Sequence, residues 1–334
     1  MDDEQKTEED NKESQMKKVN IILCTYNGSR YLREQIESLL NQTYDHIDIY
    51  IYDDKSTDNT MEIIKEYMEQ KHCGKRMYLI ELPEKLGYPQ CFIQALLASE
   101  RADYYAFCDQ DDIWMPDKIE KGVKALDELE GAAQTAPKLY FSSVAYCDED
   151  MNFLRYSRFS EHLKKASGLV GLQELMFGGD ALGMTYLFNH VVREELLATY
   201  ERGYTKMKDG FIKLYAASVG AVYYEKQPTA KYRRHGGATT NNLNPKGKLE
   251  RYKSMIQGMF FKRNAFELFR EMVSYIQQYH MSEIKDLDNR KLISLFASTD
   301  SLKRRITKVF WKKRFRVVWI DEIGYRILFL IGRV

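Results

Sequence analysis

No uninterrupted apolar stretch in this 334-residue chain approaches the ~20 residues that a spanning helix needs, and no signal peptide precedes the first strand-like run, so the expectation is an intracellular protein. Five cysteines (Cys24, Cys73, Cys91, Cys108, Cys147) are scattered without a C-x-x-C pair, which excludes a disulfide framework and predicts reduced thiols. The charge is almost balanced, 50 basic against 49 acidic residues, and argues against nucleic acid as a partner. There is no G-x-G-x-x-G after the first strand and no G-x-x-x-x-G-K-[ST] anywhere. Any phosphate bound here must then be held by a metal.

What is present is an alternation of strand and helix patterns. Residues 1–17 are acidic with almost nothing apolar, and read as a disordered tail. Val19 to Cys24 is an apolar run, and Leu32, Ile36, Leu39 and Leu40 follow at helical spacing. Ile47 to Tyr52 ends at Asp53-Asp54 and is followed by a helix pattern at Ile63, Ile64, Tyr67 and Met68. Met77 to Leu82, then Phe92 to Leu97, then Tyr104 to Cys108 repeat the unit. Such alternation predicts an α/β fold whose central sheet is mostly parallel and flanked by helices.

The stretch Tyr104-Tyr105-Ala106-Phe107-Cys108-Asp109-Gln110-Asp111-Asp112-Ile113-Trp114 is the focus of the chain. Three carboxylates within four positions at a strand's carboxyl end repel one another unless a cation neutralises them, and oxygen ligands suit Mg²⁺ or Mn²⁺. A solvated turn ahead of the helix that Pro116 opens is the alternative. Asp53 and Asp54 lie at a second strand end, as nucleoside acceptors or as turn acids. Further on, Gly178, Gly179 and Gly183 mark a tight turn or a close backbone approach, and Asp209 stands ahead of a helix pattern, as its cap or as a general base. Arg233-Arg234-His235 could clamp a diphosphate or form a solvated basic loop.

The segments VNIILCTYNGSRYLREQIESLLNQTY, IYDDKSTDNT and FCDQDDIWMPDKIE resemble the nucleotide-binding half of inverting family 2 glycosyltransferases of GT-A fold, over roughly residues 18–125. DQDDIW is similar to the bacterial branch that uses dTDP-L-rhamnose for cell-surface polysaccharides. The resemblance implies that Thr25, Tyr26, Asn27, Asp53, Asp54 and Gly87 lie at the nucleoside and donor, that Asp109 and Asp111 form the D-x-D motif around a metal-bound diphosphate, and that Asp112 faces the donor sugar. It also implies that Gly183 and Arg234 contact the donor, that His235 is a metal or diphosphate contact, and that Asp209 is the catalytic base. The chain departs from the family near Cys91, where an Asn is expected, and at Ala238, where the family's R-x-H-G segment continues to an Asn.

These features divide the chain into the tail, a catalytic domain over 18–244 (nucleotide-binding half 18–130, acceptor half 131–244) and a helical C-terminal appendage over 245–334. The appendage has helical spacing from Leu249 to Phe266, and from Lys303 to Arg316 it carries eight cations and no acid beside Val309, Phe310, Trp311, Phe315, Val318 and Trp319. A basic amphipathic helix of this kind suits an anionic membrane surface; packing against the catalytic domain is the other reading. The expected activity is transfer of a hexose, L-rhamnose first, from dTDP-L-rhamnose or a UDP-sugar to a surface polysaccharide or lipid-linked glycan, at the inner face of the cell membrane. The alternatives are a haloacid-dehalogenase-like phosphohydrolase, from Asp109-x-Asp111, and a catalytically silent sugar-nucleotide-binding scaffold.

Overall fold

The computed structural model describes residues 16–70, 75–129, 135–157, 159, 166–177, 181–206, 208–236, 266–297, 301–316 and 319–334. The acidic residues 1–15, Gly178, Gly179, Ala238 and the pattern from Leu249 to Phe260 lie outside them.

One sheet organises the described residues. Its strands are β1 (Val19–Thr25), β2 (Ile47–Asp53), β3 (Lys75–Ile80), β4 (Tyr104–Cys108), β5 (Ile113–Trp114), β6 (Lys138–Cys147), β7 (Phe153–Tyr156), β8 (Gly168–Leu169), β9 (Leu187–Asn189) and β10 (Ala221–Arg233), in the order β3-β2-β1-β4-β9-β6-β10-β5, with β7 beside β6 and β8 beside β10. The pairs β1–β2, β2–β3, β1–β4 and β6–β10 are parallel, and β9 is wedged antiparallel between β4 and β6. This is the mostly parallel α/β sheet expected from the alternation.

All seven residues of β1 are buried because both faces of the sheet are covered, which is why a parallel strand reads as a continuous apolar run. The pleat sorts its residues. Val19, Ile21 and Leu23 join Ile47, Ile49 and Ile51 beneath α1 (Leu32–Leu40), α2 (Thr60–Met68) and α4 (Lys118–Asp127), while Ile22 and Cys24 join Tyr52, Tyr105 and Phe107 against α3 (Gln90–Ala98), α6 (His190–Glu201) and α7 (Asp209–Val219). The short α5 (Leu172–Met176) also lies on the second face.

Register positions the chemistry. Thr25 is opposite Asp53 and Leu23 is opposite Cys108, so Thr25, Asp53 and the acids after Cys108 emerge at one carboxyl edge. Shifts in the β10–β6 ladder around Pro228 let Ala230 and Lys231 pair with Trp114 and Ile113, and Arg233, paired with Cys147, ends β10 beside the acid loop.

The C-terminal helices α8 (Glu267–His280), α9 (Leu287–Ala297), α10 (Leu302–Val309) and α11 (Trp319–Leu330) extend the second core. Phe177 sits among Phe269, Phe296, Phe315, Tyr325 and Phe329, with ring centroids 5.0 to 5.7 Å away. The expectation of a helix with its aromatic face turned to a membrane is corrected here for three residues. Phe315 is buried, Val309 packs against the core, and Trp311 donates its indole N–H to Gln173 Oε1 at 3.0 Å. Val318 lies outside the described residues. No described helix is long and apolar enough to cross a membrane.

Candidate active site

Asp53 is fixed from two sides before any ligand arrives. Its Oδ1 accepts from the Thr25 hydroxyl at 2.8 Å and the Ser56 hydroxyl at 2.5 Å, and its Oδ2 accepts from the Ser56 amide at 2.8 Å. Thr25 is itself buried, so the nucleoside contact expected of it is replaced by support of Asp53 from beneath. Asn27 takes a left-handed φ of 47°, its Oδ1 accepts from the Thr57 amide at 2.8 Å, and its own amide donates to the Ser56 hydroxyl. The Tyr26 ring is exposed, with the Lys85 ammonium 3.3 Å from its centroid.

Asp54 points elsewhere. It accepts from the amides of Leu86 (2.6 Å) and Gly87 (2.9 Å) and from the Tyr52 hydroxyl (3.1 Å). With both carboxylate oxygens engaged, it holds the loop ahead of α3, and the donor contact expected of it is corrected to that role. Gly87, at φ +69°, gives the loop a turn that a side chain disfavours.

Gln110, between the acids, is bonded twice to one backbone residue: its Oε1 accepts from the Tyr26 amide at 2.8 Å and its Nε2 donates to the Tyr26 carbonyl at 3.0 Å. A Cβ on Gly28 would lie 2.2 Å from Gln110 Oε1, so a larger residue there would push the Gln110 side chain off these bonds. The acid loop is thereby locked to the end of β1.

The three acids separate by environment. Asp111 Oδ2 lies 2.8 Å from His235 Nε2, and the His235 ring leans on Tyr31 with centroids 4.8 Å apart. Burial pushes the Asp109 carboxyl up to about 6; Lys208 opposes the rise, and Asp111 and Asp209 add to it. Asp112 is corrected. It is 1% exposed, its Oδ1 accepts from the Arg233 amide at 2.9 Å, and burial, aided by Asp111 and Asp109, pushes its carboxyl well above the ordinary range. A side chain so enclosed braces the loop and does not face a sugar.

Arg233 rather than Arg234 is the keystone of this edge. Its Nε donates to the Asp111 carbonyl at 2.8 Å, NH1 to the Glu149 carbonyl and NH2 to Glu34 Oε2 at 2.6 Å, and its guanidinium lies 4.4 Å from the Tyr31 ring centre. The half-buried Arg234 lies over the Tyr146 ring at 4.7 Å, and its amide donates to the Cys147 carbonyl.

Asp209 opens α7 at residue N1, one place inside the cap position, which Lys208 occupies without a side-chain cap bond. The expected capping alternative is therefore not what its carboxylate does: Oδ1 is buried and has no hydrogen-bond partner, and the nearest cation, Lys208 Nζ, is 3.5 Å away. Lys208 is itself enclosed, 3.5 Å from the Phe92 ring centre. Burial works against its charge, but Asp209 and Asp109 outweigh burial and raise its pKa. Gly183 packs directly against the Asp209 carboxylate.

Sequence reasoning assigned no role to Gln110, Lys208 or Tyr31. The only sequence signals for the first two are their places between and beside the acids. Among the described residues no three His, Cys, Asp or Glu side chains are grouped closely enough to hold a metal ion. Asp111 and His235 are close enough for one divalent ion to take both, and such an ion would relieve the like-charge repulsion that Asp111 and Asp209 exert on Asp109. A cleft of about 670 Å³ at the opposite, amino edge of the strands is a weaker candidate, because Lys17 and Lys18 there are tied to Asp103, Asp48 and Glu100.

Comparison with known proteins agrees with this geometry. Residues 20–178 match the family model for glycosyl transferase family 2. The chain is 28% identical over 193 residues to the glycosyltransferase TuaG of Bacillus subtilis, named for teichuronic acid biosynthesis, covering 56% of this chain and 73% of TuaG. It is 25% identical over 260 residues to the dTDP-rhamnosyl transferase RfbG of Shigella flexneri, covering 74% and 83%. In three dimensions it is similar to S. aureus TarS 1–349 in complex with UDP-GlcNAc, with a TM-score of 0.54 and 16% identity over 94% of this chain and 81% of that one. Strand order and sequence match together identify residues 20–178 as a glycosyl transferase family 2 domain on a fold of GT-A type.

Proposed function

We propose that the chain transfers a sugar with inversion from a nucleoside diphosphate donor to an acceptor hydroxyl, with Asp209 as the general base. The observation that carries this is the Asp209 carboxylate: it is held in the first turn of α7, neither caps the helix nor finds a hydrogen-bond partner for Oδ1, and lies near the D-x-D acids. A carboxylate left free in a cleft can take the proton of an incoming hydroxyl. Its neighbour Lys208 keeps a positive charge between Asp209 and Asp109 and limits their repulsion.

Asp53 accepts from the nucleoside, and the exposed Tyr26 ring offers an apolar face to the base. Asp109, Asp111 and His235 would hold Mg²⁺ or Mn²⁺. When bound, such an ion neutralises charge on the departing diphosphate. Arg233, Gln110 and Asp112 keep the acid loop in register with β1 and β10.

The favoured donor is dTDP-L-rhamnose, supported by the extended similarity to RfbG, with a UDP-sugar second. The acceptor is a hydroxyl of a surface polysaccharide or lipid-linked glycan, supported by the similarity to TuaG. Work on such acceptors places the chain at the inner face of the cell membrane, with residues 18–244 as the catalytic domain and 245–334 as the appendage. Incubation with dTDP-L-rhamnose and UDP-sugars, with and without Mn²⁺, tests the reading. Metal-dependent release of free sugar that Asp209→Asn abolishes is expected, and donor binding without turnover under every condition would make the protein a scaffold.

A further inference from the structure

Helix α11 has two apolar faces, of which the core covers one, and α10 adds an exposed apolar ridge on a basic helix. Inward, Leu328 and Phe329 of α11 are fully buried. Outward, Leu302, Ile306 and Phe310 recur every fourth residue along α10 and its end, 69%, 44% and 78% exposed. On α11, Trp319, Ile323 and Ile327 repeat the spacing at 66%, 53% and 43%. An amphipathic helix turns its apolar stripe to whatever covers it, so two exposed apolar ridges side by side mark a covered surface. The two helices are one unit, because Lys308 Nζ donates to the Val334 carbonyl at 2.6 Å and the Arg326 guanidinium donates to the carbonyls of Val309, Trp311 and Lys313.

Charge identifies what covers the outer face. Residues 301–334 contain ten cations and two acids, Asp321 and Glu322. Both acids are engaged within the unit, Asp321 with Arg316 at 3.4 Å and Glu322 with Arg326 at 2.6 Å. Lys303, Lys313 and Arg314 stay exposed beside the apolar ridges, as does Lys312, which also reaches Asp288. A second copy would bring the same cations against themselves across a twofold interface. A surface that is apolar within and anionic at its rim satisfies both halves of the pattern.

We infer that the outer faces of α10 and α11 seat this chain on an anionic lipid bilayer, with Leu302, Ile306, Phe310, Trp319, Ile323 and Ile327 entering the headgroup boundary and Lys303, Lys312, Lys313 and Arg314 meeting lipid phosphates. This rests on the proposed membrane location and is independent of the transfer chemistry. It also replaces the sequence-derived face, since Val309, Trp311 and Phe315 are the inward residues. Each apolar side chain inserted gains transfer free energy, and each cation adds a salt-sensitive attraction.

The test uses the full chain and vesicles of phosphatidylcholine with or without phosphatidylglycerol. Wild type should sediment only with the anionic vesicles and release as salt rises. The double variant Phe310→Ser/Ile323→Ser should lose at least about tenfold in vesicle affinity at every salt concentration, and Lys312→Ser/Lys313→Ser should lose the salt-sensitive part. Thermal melting and donor hydrolysis in solution should be unchanged in both. Should the apolar variant fail to fold, Trp319 reads the same contact in the wild type, because its emission should shift to the blue on anionic vesicles and Trp319→Phe should remove the shift. Unchanged vesicle binding by the folded apolar variant, absence of wild-type binding, or a dimer abolished by the same substitutions would each overturn the inference. Loss of donor hydrolysis in the wild type with vesicle binding intact would overturn the transfer reading alone.

Discussion

Gly183 leaves the space that Asp209 fills: a Cβ at position 183 would lie 2.3 Å from both Cγ and Oδ1 of that carboxylate. Since Oδ1 has no hydrogen bond to resist displacement, Gly183→Ala should move the base and leave the nucleotide side alone. Turnover should fall at least about tenfold with donor affinity retained, and Asp209→Asn should lower it by ~10²–10⁴. Calorimetry of donor binding beside product formation checks both, and near-normal turnover in Asp209→Asn would return that residue to a structural role.

Asp111→Asn should abolish metal-dependent donor binding without weakening the fold, because the side chain faces His235 in the cleft and braces nothing else described. Donor with Mn²⁺ should no longer raise the unfolding temperature of the variant, whereas a ligand at a hundred times its Kd stabilises the intact site by ~2.7 kcal/mol. A full thermal shift in the variant would remove Asp111 from the metal site.

Arg233→Lys should destabilise the protein by about 2–4 kcal/mol, because one ammonium cannot reproduce a guanidinium that serves the Asp111 and Glu149 carbonyls and Glu34 together. Urea unfolding of the variant beside the wild type checks this.

Asp58 gives a pH dependence of known sign. Burial pulls its carboxyl up, but hydrogen bonds from Thr60 and Ser29 outweigh it and bring it down to about 2. A depressed carboxylate contributes stability above its unfolded value near 3.9, and that contribution disappears as pH falls through about 2. Asp58→Asn should therefore cost about 1 kcal/mol at pH 7, after allowance for solvent screening, and almost nothing near pH 2. An equal loss at both pH values would show that geometry, not ionisation, ties Ser29 to α2.

The amino-acid sequence by itself determined the succession of strands and helices from β1 to β4, because apolar periodicity is a local property, whereas the short strands β5, β7, β8 and β9 carry too few residues to show a period. It also determined that acids close the strands at Asp53 and Asp109, which register then brings to one edge. Only the tertiary structure decided between neighbours of equal chemistry. Asp111 meets His235 while Asp112 goes under Arg233; Asp53 meets Thr25 and Ser56 while Asp54 holds Leu86 and Gly87. Arg233 reaches back to the Asp111 carbonyl, and the exposed C-terminal ridge runs through Ile306 and Ile323 instead of Trp311 and Phe315. The reason is distance along the chain. Arg233 and Asp111 are 122 residues apart, and which of two adjacent side chains such a partner reaches is set by strand register and helix rotation in the folded core, which adjacent residues of the same kind do not encode.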